Sequence, residues 1–598
     1  KPVADEVDLP AEVPQPLAPI TIVGTRNGSF SGKIVLTSRE AMKNVRAEMT
    51  DLTRTGGQGR IPAAAARVRY GLHLPGVMCF DPLGETPPAD SPVLGFSNRV
   101  WKSKSRAVGH ALQPIWVIVD VPPDAAPGDY EGKLTVTVGD AAPFAVPVRL
   151  EVCDWRLPDP QQFQTFVELV QSPETVAMEY DVPLWSDRHF TLMAKSLELL
   201  GRIGSRTAYV HLVAETNHGN AETMVRWIRQ KGGSFRYDFT PMDRYLDLVE
   251  RYRKKPFIVC LYVWDNHCNE RLEPEGHRGC IPASTGEVPV TCLNDDGTVT
   301  TIKLPKYGSP ESKALWKPLM DEIRLRLKKR GWEGSMVLGL ATDNAPTVEV
   351  VNFFKEICPG LRWMRQGHDS TYGELANKHY YYQASVLISQ FAYQRKGERW
   401  HGWLPTPQGR HERSGSIVAH FPRQMRNHCS RCKFRMLGEL NIAGNQRGFG
   451  RIGADIWPVL RNSRGNKVGI LPQRYPHTSW RNLAIHLAML YPGPEGASPT
   501  ARYQVMLEGV QECEARIFIE KAITEKKIDG ELAKRCEEIL DERVKALTEQ
   551  MGDKWGYGDW RWESERLEYP AFIASDWQAR SKKLYDAAAE VAAALQGR

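Results

Sequence analysis

The residues best placed to do chemistry are Asp343 and Asn344. The apolar run Met336-Val337-Leu338-Gly339-Leu340-Ala341 stops at Thr342-Asp343-Asn344-Ala345-Pro346, and an acidic-apolar segment over 347–358 follows as a predicted helix. A buried parallel strand ending in a carboxylate and a carboxamide delivers both to the mouth of a sheet, where strand–helix enzymes keep their active sites. Other predicted strand ends supply Glu168, His211, Asp265, His368, Asp369, His420 and Glu439, with Trp264 and Trp403 nearby. Carboxylates with Trp and His around one mouth suit a sugar. Aromatic faces stack on pyranose rings, and two polar groups handle a glycosidic bond. Any one of these aspartates also suits a helix N-cap. For Asp343, the neighbouring amide and the strand end favour a functional role.

A second concentration of chemistry is basic. Arg410, His411, Arg413, His420, Arg423, Arg426, His428, Arg431, Lys433 and Arg435 straddle two predicted strand ends. Such a cluster fits either a sulfate or carboxylate on a substrate or an ordinary solvated face. Metal chemistry is not expected. His428-Cys429-x-x-Cys432 lacks a second pair, and Cys268, His277 and Cys280 share one long polar loop without a fourth ligand. The eleven cysteines are an odd count scattered through a long chain and read as free thiols rather than a disulfide framework.

These residues need elements to hold them. From residue 163 onward apolar strands alternate with helical segments. Strands are predicted at 166–170, 207–213, 257–264, 335–340, 361–364, 416–420 and 434–437, with an eighth near 485–490. Between them, a helix over 187–203 carries Phe190, Met193, Ala194, Leu197 and Leu200 on one face, and Thr240-Pro241 opens another. Continuous apolar strands in this rhythm predict a parallel sheet, most economically a (β/α)8 TIM barrel. Upstream, residues 20–153 carry short β-branched runs separated by turns such as Asn27-Gly28 and Pro127-Gly128-Asp129, the pattern of an antiparallel β-sandwich. Helical periodicity returns over 502–523, 531–550 and 581–595. The chain is thus read as multidomain α/β, with a flexible segment at 1–19 and the sandwich at 20–157. The barrel follows at 158–525 and a helical extension at 526–598.

Composition narrows the function classes. A net charge of +7 on 598 residues, without an aromatic-laced basic domain, argues against nucleic acid. No apolar run reaches the length of a membrane span. The polar, proline-studded start is expected to be the mature end of a secreted or periplasmic protein whose export signal has been removed. An amphipathic C-terminal helix can pack on its own barrel or on a second copy, so an oligomer stays open.

Several motifs resemble one family. Leu490-Tyr491-Pro492-Gly493-Pro494, then Ser498-Pro499-Thr500-Ala501-Arg502 and Met506-Leu507-Glu508-Gly509-Val510-Gln511-Glu512-Cys513-Glu514, resemble the closing signature of the family 123 glycoside hydrolases, as does Gly453-Ala454-Asp455-Ile456-Trp457. The resemblance implies a sandwich followed by a barrel and a retaining β-N-acetylgalactosaminidase that uses neither metal nor organic cofactor. It also implies an Asp-Glu pair at the end of the fourth barrel strand. There the substrate's own acetamido oxygen attacks the anomeric carbon, the Asp orients the acetamido N–H, and the Glu protonates the leaving oxygen. Asp343 matches the Asp, but Asn344 stands where the Glu should be, and an amide is no proton donor near neutral pH. On the favoured arrangement Asp343 keeps its polarising role. The acid then comes from Asp265, Asp369 or Glu439, with Asn344, Trp264, His368, His420, Trp403 and Arg423 binding the sugar. In another arrangement, Asn344 binds the acetamido group and Asp343 is itself the acid. The expected activity is exo-cleavage of terminal β-linked N-acetylhexosamine, galactosamine favoured. The alternatives are two-carboxylate chemistry on a different, anionic sugar, and carbohydrate binding without cleavage.

Overall fold

The computed structural model describes residues 17–73, 80–96, 108–270, 285–342, 344–367, 384–389, 417–422, 431–444, 446–478, 488–548 and 576–597. The chain opens with two β-sheets. In one, Ile20–Arg26, Phe144–Arg156, Gly128–Thr137, Leu52–Arg54 and Arg60–Ile61 lie side by side, with Arg46–Met49 also on Gly128–Thr137. In the other, Val93–Phe96, Val108–Asp120, Ala66–Gly71 and Leu83–Gly84 are adjacent, and Ser29–Ser38 also pairs Val108–Asp120. Alternation buries Tyr130, Leu134 and Val136 of one strand and Val146, Val148, Leu150 and Val152 of the next. The expectation of a wholly antiparallel unit fails at one edge, where Ile20–Arg26 runs parallel to Phe144–Arg156. The cause is local. The turn at Asn27 (φ 65°) and Gly28 sends the chain into the other sheet, leaving the first strand free to dock beside the last.

Eight strands then form one sheet: β1 (Phe166–Val170), β2 (Thr207–His211), β3 (Ile258–Tyr262), β4 (Met336–Ala341), β5 (Trp363–Gly367), β6 (Ala384–Ser389), β7 (Ile417–His420) and β8 (Gly448–Gly453). Every pair is parallel, and neighbours follow chain order from β2 through β8 and on to β1. An isolated parallel bridge, Val167 to Ser205, links β1 to the residues just before β2. Helices α1 (Pro173–Glu179), α2 (Asp187–Arg202), α3 (Thr240–Arg253), α4 (Pro310–Lys329), α5 (Val348–Ile357) and α6 (Arg431–Ala443) lie between strands. Their caps follow sequence rules: Ser172, Ser186 and Ser309 each accept a first-turn N–H, and a proline opens α1 and α4. A four-stranded accessory sheet, unanticipated from sequence, joins Phe235–Asp238, Arg226–Arg229, Val288–Leu293 and Val299–Leu304.

Two strand assignments need correction. Residues 434–437, read as a strand, lie in α6, which is buried along its whole length and therefore shows no polar face to betray its period. Of 485–490, where the eighth strand is expected, residues 485–487 lie outside the described residues; the eighth strand of the sheet is β8. Its sequence, Gly-Phe-Gly-Arg-Ile-Gly, has no continuous apolar run, whereas Leu490–Gly493 forms a two-stranded hairpin with Gly496–Pro499. β6, also unanticipated, lies between β5 and β7, so 417–420 is the seventh strand rather than the sixth.

Three C-terminal helices, α7 (Ala501–Thr524), α8 (Gly530–Thr548) and α9 (Trp577–Gln596), brace the sheet against the β-rich region. The family-like signature proves to be this joint. Arg502 bonds Asp81, Glu508 accepts from Ser31 and pairs with Arg435, and Gln511 bonds both backbone groups of Ser29. Glu514 accepts from Thr165 and from the Gln164 N–H. At Gly509 the reason for glycine is spatial: a Cβ would sit 2.1 Å from the Arg435 carbonyl oxygen, so α7 and α6 cross backbone to backbone.

Candidate active site

The C-terminal ends of the parallel strands gather a buried polar layer. Glu168, in the middle of β1, is fully buried. It accepts from the Tyr209 hydroxyl, from Gln366 Nε2 at 2.9 and 3.0 Å, and from the Arg451 backbone N–H at 2.6 Å. That last bond explains a backbone irregularity. Val167 pairs with Phe449 but Leu169 with Ile452, so β8 carries an extra residue opposite Glu168, and Arg451 adopts φ 57°. Its guanidinium reaches across to the Gln366 carbonyl and lies over Phe421. Burial pushes the Glu168 carboxyl up to about 7, against the pull of its donors.

The loop after β2 is organised from β3. Asp265 accepts from Asn217 N (2.7 Å), Asn217 Nδ2 (3.1 Å), Asn266 N (2.7 Å) and the Tyr262 hydroxyl (2.8 Å). Its two oxygens are thus taken by four donors, and burial raises its pKa. The His218 ring hydrogen-bonds that of His211 at 2.8 Å, and His211 stacks on Tyr262. Burial lowers His211 to about 3 and His218 well below its ordinary value, so both rings stay neutral. Beside them, Val170, Gln171, Trp185, His211, His218 and Ile456 border a cavity of only about 10 Å³. That is room for one water, not a sugar ring.

The residues that follow Asn344 are held by Asn269. Its amide oxygen accepts from Trp264 Nε1 at 3.0 Å and from Thr347 N at 3.4 Å, while its amide nitrogen donates to the Ala345 carbonyl at 3.2 Å. Thr342 N also closes a turn onto the Asn344 carbonyl. Asn344 itself is half-buried at the end of β4.

Several predicted site residues therefore change role. Trp264 is fully buried, so its ring cannot stack on a sugar, and its N–H supports Asn269 instead. Glu439 stands within α6 rather than at a strand end. It bonds Arg543 through both oxygens (2.8 and 2.6 Å) and Arg516 at 3.2 Å. Burial alone would raise its pKa, but Arg543 and Arg516 outweigh that and hold it low, which unsuits it as a proton donor. His420 ends β7 and is buried. Asp343, His368, Asp369, Trp403 and Arg423 lie outside the described residues, as do Arg410, His411, Arg413, Arg426 and His428. Of the remaining basic cluster, Arg435 is buried against Glu508 and Glu512. Among the described residues no group of His, Cys, Asp and Glu could hold a metal ion. Glu168 was among the predicted strand-end residues; Gln366, Arg451 and Asn269 were missed as site residues, because none belongs to a motif or to a predicted strand end.

A polar layer at the C-terminal ends of a parallel α/β sheet, behind a β-rich region, defines a carbohydrate-active enzyme class when set beside its relatives. The model of the glycoside hydrolase 123 catalytic domain matches residues 171–517, and that of the glycoside hydrolase 123 N-terminal domain matches residues 11–138. The first covers more than half of the chain, which belongs to the family 123 glycoside hydrolases. Among solved structures, the chain is similar to a family 123 glycoside hydrolase from Clostridium perfringens, described in the context of glycolipid glycan hydrolysis. That match has a TM-score of 0.62 and 14% identity, covering 96% of this chain and 94% of the other. A family 39 glycoside hydrolase from Bacteroides cellulosilyticus WH2 matches at TM-score 0.33 and 11% identity, covering 83% of each chain. No curated protein sequence matches the chain.

Proposed function

We propose that this glycoside hydrolase is a retaining exo-enzyme that removes terminal β-linked N-acetylhexosamine, galactosamine favoured, from glycolipid glycans by substrate-assisted catalysis. One observation carries the reading: in a family 123 chain, the Asp343-Asn344 step follows the fourth parallel strand at its C-terminal end. The eight strands are taken as a closed (β/α)8 barrel, supported by their cyclic order and the Val167–Ser205 bridge. The β-rich region before it is taken as a sandwich. Glycolipid glycans enter through the similarity to the Clostridium perfringens enzyme.

In this mechanism the Asp343 carboxylate accepts the substrate's acetamido N–H and raises the nucleophilicity of the acetamido oxygen. That oxygen attacks the anomeric carbon, and water later opens the cyclic intermediate with net retention. Asn344 hydrogen-bonds the sugar. The proton for the leaving oxygen is assigned to Asp369, two residues beyond β5. Glu439 is held ionised by two arginines, and all of Asp265's accepting capacity is spent on the β2 loop and its neighbours. Asp265 and Trp264 act as positioning residues.

The test is turnover of a panel of chromogenic β-glycosides, with and without a thiazoline mimic of the cyclic intermediate. Cleavage confined to N-acetyl substrates and inhibited by the thiazoline is the expected result. Asp343→Asn should lower kcat by about 10²–10⁴-fold with an unchanged melting curve. Near-normal turnover by that variant would remove Asp343 from the mechanism.

A further inference from the structure

Between β8 and the C-terminal helices, Leu460–Arg461 and Lys467–Gly469 form an antiparallel hairpin. All eight residues from Arg461 to Val468 are exposed, and they include Arg461, Arg464 and Lys467 without a single acidic residue. Val468 is 62% exposed, the most exposed large apolar side chain of this hairpin and its surroundings. Isolated exposed valines are common, but one flanked by three cations at the rim of a site is a different matter.

The hairpin is rigid. Asn462 Oδ1 accepts the N–H groups of Arg464 (3.0 Å) and Asn466 (3.1 Å), and Gly465, at φ 80°, donates back to the Asn462 carbonyl. Arg461 caps the Gly465 carbonyl at 2.7 Å. Its base is fixed to the mouth of the sheet. Lys467 pairs with Glu179 at the end of α1, and Leu471 packs so close to Gly219 that a Cβ there would lie 2.0 Å from the Leu471 oxygen. Arg474 ties the same base to Glu174 and to Gly219 of the β2 loop, and reaches the partly exposed Met178. The hairpin therefore projects from the face that bears the candidate site.

We infer that this hairpin docks the enzyme on an anionic lipid surface, with Arg461 and Arg464 facing the headgroups and Val468 entering the interface, so that the site meets glycans displayed on that surface. The chemistry favours a bilayer over a soluble polyanion. Arginines attract either, but an exposed valine gains only from an apolar boundary. Lys467 is neutralised in part by Glu179, which leaves the two arginines as the main attraction. Each cation near an anionic leaflet strengthens binding by about fivefold, so the pair should contribute about 30-fold. The inference rests on the glycolipid reading only for its purpose, not for the contact.

The experiment is sedimentation of the full chain with phosphatidylcholine vesicles, with and without phosphatidylserine. Wild type should bind the anionic vesicles, more weakly as salt rises. Arg461→Ser with Arg464→Ser should lose about 30-fold in that binding, and Val468→Ser should weaken it further without affecting the plain phosphatidylcholine control. Turnover of a soluble chromogenic glycoside should be the same in all variants. Equal vesicle binding by wild type and the double variant, or none by wild type, overturns the inference. So does loss confined to a soluble sulfated glycan. Anionic-vesicle binding that is retained while no glycolipid is cleaved supports the docking surface and refutes the substrate instead.

Discussion

Glu168 should make stability fall as the pH rises through the mildly acidic range, and Glu168→Gln should abolish that component. The carboxyl is completely buried and carried from 4.5 to about 7. The folded state therefore holds a proton that the unfolded chain releases. Below about pH 4.5 both states are protonated and nothing is lost. Between about 4.5 and 7 the unfolded state ionises first, and stability declines. Above about 7 the loss is complete and amounts to about 3 kcal/mol, at about 1.4 kcal/mol per pH unit. Glutamine keeps its single oxygen as acceptor for the Arg451 N–H and sets its amide nitrogen beside the Tyr209 hydroxyl, which can accept from it, but turns that donor toward Gln366 Nε2, a conflict of about 1–3 kcal/mol that does not depend on pH. The assay is urea unfolding of both proteins across this range. The stability of Glu168→Gln minus that of wild type should climb by about 3 kcal/mol from about pH 4.5 to about 7.5. Contributions from Asp455, also raised by burial, to about 6, cancel in the difference. A difference that stays flat would refute the claim that Glu168 is a buried acid neutral in the folded state.

Three further outcomes follow from the geometry. Asn344→Glu places a carboxyl where the family resemblance expects the acid; with Asp369 as the proton donor, kcat on an N-acetyl β-glycoside should stay the same or fall, and a rise of about 10²-fold or more would move the donor from Asp369 to position 344. Glu439→Ala leaves the buried Arg516 and Arg543 with one carboxylate each, Glu520 and Glu512, and denaturation should show a loss of about 3 kcal/mol. The KM of surviving folded enzyme should be unchanged, since Glu439 does not stand at the mouth. Gly509→Ala forces α7 from α6 and should lower the melting temperature, at a cost of about 1–3 kcal/mol or more; wild-type stability would contradict the backbone contact.

The chain's local patterns determined much. Apolar runs bounded by polar residues located β1 to β5 and β7, because a strand buried on both faces must be continuously apolar. The period of 3.6 placed α2, α3 and the C-terminal helices within a few residues, and the abrupt change at Thr342 marked the strand end beside Asp343. The closing signature pointed to family 123, and its described residues brace the parallel sheet against the β-rich region. Its carboxylates and glycine answer to partners far away in sequence: Ser31, Asp81, Thr165 and Arg435.

Tertiary structure decided the rest, for one physical reason: burial and pairing depend on neighbours distant in the chain. β8 has glycine at 450 because Glu168 occupies the space opposite and at 448 because the Phe166 backbone does, and no local pattern shows that. A helix buried on all sides loses its amphipathic period, so 434–437 passed for a strand and Glu439 for a strand-end acid. Trp264 was legible as an aromatic near the mouth, but only the fold turned its N–H toward Asn269, and through Asn269 toward the residues that follow Asn344.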